Sequence, residues 1–302
     1  MGKAVICVGV SASGKSTWTR DFIHSQSKAG VVWREINRDW ERRCVLFDKT
    51  QGQIDGLVWK LWKWKWEDEV TARCDARLAK AVEEKANVVV SDTNLHAGRR
   101  TALIKRLEAM GYTVEIKVFE VDFAEACRRD AARENGVGVA VIAQQFKQFN
   151  KEFVQQYTGT PGKAPAVLVD IDGTLAEMVG RGAFDWHRVG EDKPKAFVHS
   201  VVRGLKDQGF TIVVMSGRDG NDECREKTLK WLHEHKVPFD ELFMRAAGDS
   251  RKDSIVKAEL FWEHVAPYYD AKMVIDDRLQ VCRMWRGMGL EVMQVGDPYV
   301  EF

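Results

Sequence analysis

Short runs of consecutive apolar residues punctuate this chain, each bounded by polar or turn-forming positions. Ala4–Val8, residues 31–36, 87–92 and 113–118 have the length and β-branched content of strands, and 87–92 reads as a buried parallel strand ending in an acidic residue. Between them the pattern turns helical, from Thr17 to about Ser25 and over Glu67–Lys85, Arg99–Met110, Phe123–Glu134 and Val139–Tyr157. In the helix at 67–85, Val70, Cys74, Leu78 and Val82 mark the expected apolar stripe. The turn formers Thr158–Pro165 then interrupt the pattern, and strands resume at Ala166–Val169, Thr211–Met215 and Met273–Ile275. The expected organisation is α/β, with a first domain over 1–157 built on a parallel sheet, a linker at 158–165 and a second α/β domain over 166–302. The second half does not repeat the first.

The strand at Ala4–Val8 leads into Gly9-Val10-Ser11-Ala12-Ser13-Gly14-Lys15-Ser16, which fits G-x-x-x-x-G-K-[ST]. In such a loop Gly9, Ser11, Ser13, Gly14, Lys15, Ser16 and Thr17 present backbone N–H groups to phosphates, Lys15 reaches the β/γ-phosphates and the Ser16 hydroxyl holds Mg²⁺. A Gly/Ser turn that matches by chance is the bland alternative. The full match behind a strand favours an ATP-type phosphate site and a P-loop domain.

Asp39 follows the second strand and is placed to accept the proton of an attacking hydroxyl, or else merely to cap a helix starting at Trp40. Arg42 could bind an acceptor phosphate, and Asp92, the acidic end of the strand 87–92, stands where a carboxylate could contact metal or water. Arg129 and Arg133, four apart, would share one helical face as a cationic lid, unless they are a solvated charged surface. The stretch 57–66 interleaves Trp59, Trp62, Trp64 and Trp66 with lysines; a single-strand stacking platform is one reading, and tryptophans filling a core the favoured one.

Four strand ends in the second half carry polar clusters. Asp170 and Asp172, on one side by strand alternation, precede the turn at Gly173 and could hold Mg²⁺, attack phosphorus and shuttle a proton. Ser216 and Arg218 offer a hydroxyl and a cation for phosphate. Asp253 and Lys257 follow, and Asp276-Asp277 form a further acidic tip suited to a metal. Recurrence at successive strand ends argues for one site on a sheet edge.

Composition adds little beyond this. The chain of 302 residues has net charge +1, divided as +6 over 1–164 and −5 over 165–302, a mild lean toward a polyanionic substrate of the first half. Six scattered cysteines with no C-x-x-C spacing suggest buried thiols in a reducing compartment, without zinc or dithiol chemistry. No apolar run approaches a membrane span, and the N-terminus runs straight into a strand, so a cytoplasmic, non-membrane protein is expected.

The order DIDGT, SGR, a following lysine and IDD resembles the haloacid-dehalogenase phosphohydrolase superfamily. Together with GVSASGKS, SDTNL at 91–95 and the RGxFD segment at Arg181–Asp185, the chain resembles the T-even phage family of polynucleotide 5′-kinase/3′-phosphatases nearly end to end. The resemblance implies that Lys15 and Ser16 bind ATP phosphates and Mg²⁺, that Asp39 is the general base, and that Arg42 holds the acceptor's 3′-side phosphate. Asp92 would support that site, with Arg129 and Arg133 as lid arginines. In a haloacid-dehalogenase-like second domain, Asp170 would be the nucleophile and Asp172 the general acid/base. Arg181, Ser216, Arg218 and Lys257 would orient and neutralise phosphate, Asp253 would support them, and Asp170, Asp172, Asp276 and Asp277 would hold metal. The segment Glu134–Gly138 is less basic, and 57–66 richer in tryptophan, than the family pattern. The implied activity is healing of RNA or DNA ends, in a homo-oligomer that works with a ligase. Two rivals remain at this point: a small-metabolite kinase joined to a small-molecule phosphatase, and a non-catalytic protein that binds nucleic-acid ends.

Overall fold

The computed structural model describes residues 2–52 and 61–297, which form two units, 1–153 and 154–302. In the first, β1 (Gly2–Val8), β2 (Trp33–Ile36), β3 (Asn87–Val90) and β4 (Tyr112–Val118) make a sheet of order β2-β3-β1-β4, parallel throughout. Ile6 lies opposite Val90 and Ile116, so β3, β1 and β4 end nearly level. Helices α1 (Lys15–Lys28), α2 (Arg38–Lys49), α3 (Glu67–Glu83), α4 (Ala97–Ala109), α5 (Phe123–Ala131) and α6 (Val139–Phe153) supply the crossovers and cover. Alternate β1 residues point to opposite sides: Ala4, Ile6 and Val8 join one apolar core, Val5 and Cys7 another with Trp33 and Val89.

Three helices differ from the pattern reading. α3 buries Val70, Cys74, Leu78 and Ala81, while Val82 is 39% exposed. Steps of four outrun the 3.6-residue turn, and a step of three brings the stripe back to the core. α5 stops at Ala131, where the buried Asp130 accepts the Gly138 N–H at 2.8 Å and turns the chain. Arg129 and Arg133 therefore do not share a helical face. The cap of α2 is Asn37, whose side chain accepts the Trp40 N–H at 2.9 Å, so the capping alternative for Asp39 falls away.

Within 57–66, Trp62 and Trp66 pack edge to face at 5.4 Å against the core of the first unit, and Trp64 stays 78% exposed. Trp59 and the rest of 57–60 lie outside the described residues.

The second unit is a five-stranded parallel sheet of order β11-β10-β5-β8-β9, with β5 (Ala164–Val169), β8 (Thr211–Asp219), β9 (Glu241–Arg245), β10 (Tyr269–Asp276) and β11 (Val292–Gln294). A small antiparallel pair, β6 (Ala176–Glu177) with β7 (Lys193–Pro194), stands beside it. Four helices pack around the sheet: α7 (Ala196–Asp207), α8 (Asp222–Glu234), α9 (Asp253–Leu260) and α10 (Leu279–Gly287). The stretch expected to close the first domain and link it to the second is instead bound into the second. Val154 and Tyr157 pack on the core of that unit, the Tyr157 N–H donates to the Met288 carbonyl at 2.8 Å, and Thr160 donates to Asp270 and to the Ala266 carbonyl. Residues 164 and 165 already belong to β5.

Candidate active sites

In the first unit, the β1 strand ends on the loop Gly9–Gly14, which enters α1 through Gly14 at φ +97°, a conformation that costs other residues strain. The buried Lys15 ammonium folds back on this loop, donating to the carbonyls of Gly9 at 2.9 Å and Val10 at 2.6 Å and to Ser13 Oγ at 3.3 Å. Burial pushes its pKa down from 10.5 to about 8, against the pull of Cys7, Asp39 and Asp92. The Gly9 N–H donates to the Thr93 carbonyl, and the Ser11 N–H to Gln145 of α6. Ser16 and Thr17 face the opening.

That opening is a cleft of about 970 Å³. Loop residues 11–14, Lys15, Ser16 and Thr17 line it together with Asp39, Asp92 and Arg133. Asp92 accepts the Arg38 N–H at 2.8 Å, and burial raises its carboxyl from 3.8 to about 6. The Asp39 carboxylate is 64% exposed and receives Arg42 Nη1 at 2.6 Å. Arg42 also donates to Glu67 of α3 at 2.7 and 3.1 Å. Glu67 receives Arg38 as well, and these bonds hold its carboxyl below the usual range although burial opposes them.

Two expectations need correction here. The Arg42 guanidinium is engaged by Asp39 and Glu67, and Arg43, one residue on, is the α2 arginine that lines the cleft. Of the lid pair, Arg133 lines the cleft, whereas Arg129 is tied to Glu125 at 2.6 Å and reaches the Ala12 carbonyl at 3.5 Å. Asn37, Glu67 and Gln145 went unread in the sequence. An Asn ahead of a helix was a legible capping signal for the first, but Glu67 and Gln145 come from distant elements.

In the second unit, Asp170 lies just past β5 and Asp276 ends β10, and the Asp170 N–H donates to the Ile275 carbonyl. One carboxylate oxygen each from Asp170, Asp276 and Asp277 lie within 4.8 Å of one another. The buried Lys257 ammonium donates to Asp170 at 2.6 Å and Asp276 at 2.9 Å, with Asp253 at 3.4 Å. Burial and mutual repulsion raise the carboxyls of Asp170 and Asp276 against the pull of Lys257, and Asp277 is pushed up to about 6 by burial and by Asp170. Three crowded oxygen donors whose charges resist confinement fit a hard divalent cation such as Mg²⁺. Gly173, at φ +83°, sits so close to Asp277 that a Cβ there would lie 2.0 Å from Oδ2. Thr174 donates to Asp277 at 3.3 Å and Lys195 to the Gly173 carbonyl at 2.6 Å. Ser216 is buried and accepts the Arg218 N–H. Asp253 stands among Arg245 at 3.4 Å, Lys257 and Arg278 at 3.6 Å.

Asp172 departs from its expected metal role. β5 ends at Val169, so strand alternation does not carry through to it. Its carboxylate receives Arg181 at 2.7 Å and Arg218 at 2.9 and 2.7 Å, and these cations hold its carboxyl below the usual range although burial opposes them. Arg181 and Arg218 also differ from the phosphate ligands expected. Their side chains are wholly buried, and both bond Asp192, itself wholly buried, at 2.6 to 2.8 Å. Two guanidiniums and two carboxylates thus form a neutral cluster. Asp192 carried no sequence signal, since it lies in an irregular stretch between Trp186–Glu191 and β7.

Residues 5–155 match the family model of the AAA domain, and residues 164–299 match the model described as the polynucleotide kinase PNKP phosphatase domain. The chain thus joins an AAA domain to a phosphatase domain of the polynucleotide kinase PNKP type. Over 99% of its length it is 30% identical to a protein of Autographa californica nuclear polyhedrosis virus described as "Putative bifunctional polynucleotide kinase/RNA ligase". The chain spans 43% of that curated relative's length. Among solved structures it is similar to a chain of "Structure of Pnkp1/Rnl/Hen1 complex", with 28% identity, 98% of this chain and 97% of that chain covered, and a TM-score of 0.45. A chain of "Structure of the Pnkp1/Rnl/Hen1 RNA repair complex" is 26% identical, with 99% and 97% covered and a TM-score of 0.46. The AAA unit thus carries the P-loop cleft, and the phosphatase unit the aspartate cluster. No helix among the described residues is long and apolar enough to cross a membrane.

Proposed function

We propose that this chain heals nucleic-acid ends, phosphorylating 5′-hydroxyls with ATP and removing 3′-phosphates. The observation that carries the reading is the cleft shared by Lys15 and Asp39 in a chain whose other unit gathers Asp170, Asp276 and Asp277 around Lys257. In the AAA unit, Asp39 takes the proton of the 5′-hydroxyl as its oxygen attacks the γ-phosphorus, and ADP leaves. Lys15 exchanges its loop carbonyls for phosphate oxygens, and Arg133 neutralises the transferring group.

In the phosphatase unit, an Asp170 oxygen attacks the phosphorus of the 3′-phosphate, forming an aspartyl-phosphate and expelling the 3′-hydroxyl. Asp172, held in place by Arg181 and Arg218, serves the proton transfer. Water then hydrolyses the acyl phosphate. Opening of a 2′,3′-cyclic phosphate belongs to the same chemistry. Mg²⁺, held by Ser16 in one unit and by Asp170, Asp276 and Asp277 in the other, would supply charge neutralisation at phosphate oxygens. The products are ligatable ends, so a nucleic-acid ligase is the partner, and the enzyme works as a homo-oligomer in the cytoplasm.

The test is Asp39→Ala in the full chain, with ATP and a 5′-hydroxyl, 3′-phosphate oligonucleotide. A general base contributes roughly 10²–10⁴-fold, so 5′-phosphorylation falls by that factor while 3′-phosphate release stays at the wild-type rate. Undiminished 5′-phosphorylation would remove Asp39 from the mechanism. Turnover of nucleosides or sugars but not oligonucleotides by the wild type would overturn the substrate class.

A further inference from the structure

The cleft of the AAA unit has a wall that phosphate transfer alone does not need. Trp40 follows Asp39 on α2 and lines the cleft, yet it is 55% exposed although the same helix buries Val45 and Leu46. Arg43 lies three residues on, so it and Trp40 are neighbours on one face of α2. Helix α3 packs beside α2 and presents Arg77 and Lys80, also three apart, to the same cleft. Arg77 pairs with the buried Glu41, and Lys80 lies 3.9 Å from Glu84. Their side chains are nevertheless 47% and 73% exposed, which leaves both charges within reach of a solvated anion.

An aromatic face flanked by cations suits a ligand that carries a flat ring and phosphates in succession. A sugar or polyol acceptor has neither. We propose that Trp40 is the stacking surface for the nucleobase of the 5′-terminal nucleotide, whose following phosphates run along Arg43, Arg77 and Lys80. This deepens the end-healing reading and rests on it. The acceptor is favoured over the adenine of ATP as the stacked ring because Trp40 adjoins Asp39, where the 5′-hydroxyl must arrive, while the donor's γ-phosphate is held at Lys15 and Ser16. The base and the 5′-hydroxyl belong to one nucleotide, so a platform next to the general base orients both together.

The experiment compares wild type with Trp40→Ala, Trp40→Leu and Trp40→Phe in the full chain. The acceptors are a short single-stranded 5′-hydroxyl oligonucleotide and the same oligonucleotide with an abasic 5′-terminal residue. Trp40→Ala and Trp40→Leu raise KM for the base-bearing acceptor roughly 5- to 150-fold, the range that alanine substitution gives at stacking aromatics. Trp40→Phe stays close to wild type. The abasic acceptor loses its sensitivity to position 40, and KM for ATP holds, which also reports an intact fold. Equal effects on both acceptors, no effect on either, or a rise in KM for ATP alone would overturn the proposal while leaving end healing intact. A wild-type enzyme that phosphorylates no oligonucleotide would instead take down the reading beneath it.

Discussion

Replacing Asp192 with asparagine keeps the shape of a wholly buried side chain and removes one charge from a neutral cluster. Asp192 accepts from Arg181 at 2.7 and 2.6 Å and from Arg218 at 2.8 Å, and both guanidiniums are also bonded to Asp172. In Asp192→Asn a single amide oxygen remains to accept, and the NH₂ group must face a guanidinium N–H. Two buried cations would then share one carboxylate. Breaking a buried pair by removing one partner costs about 3–5 kcal/mol. For a unit of this size that is a fall in Tm of about 6–20 °C. Calorimetry of the full chain at constant Mg²⁺ measures it, and added ATP shifts the AAA unit's transition so that the phosphatase unit's can be told apart. The double variant Arg181→Gln/Asp192→Asn returns the cluster to neutrality and should lose less than the sum of its single variants. Melting of Asp192→Asn within about 2 °C of wild type, or strict additivity in the double variant, would refute the idea that charge balance holds these arginines on Asp172.

Two further outcomes follow from the same geometry. Lys15 must be protonated to meet phosphate, and burial lowers its pKa to about 8, so kcat/KM for ATP falls above pH 8, tenfold per pH unit. kcat stays level to higher pH, because bound phosphates favour the ammonium, and a kcat/KM profile flat to about pH 9.5 would contradict this. Gly173→Ala forces a left-handed conformation and drives a methyl to 2.0 Å from Asp277, so 3′-phosphate release is lost while 5′-phosphorylation persists. Retained phosphatase turnover in that variant would show that Asp277 can move without consequence.

Much of this protein was legible in its linear pattern because the chemistry lies at strand ends. A buried strand followed by Gly9–Ser16, or by Asp170–Gly173, announces a phosphate loop or an acidic tip, since parallel sheets expose function where their strands stop. Local periodicity also placed five helices of the first unit. It failed where a side chain made the decision, as when Asp130 ends α5 before Arg133, and when Ala81 rather than Val82 completes the stripe on α3. Which cations remain for phosphate could not be read at all. Arg42, Arg181 and Arg218 look alike on paper as anion ligands, yet each is taken up by carboxylates of its own unit, Asp39 and the distant Glu67 for the first, Asp172 and Asp192 for the other two. Sequence determines which elements form and which chemistry follows a buried strand, because those follow from neighbours along the chain. Tertiary structure alone decides which charge meets which, because a buried ion takes the nearest opposite charge in space, however far off it lies in sequence.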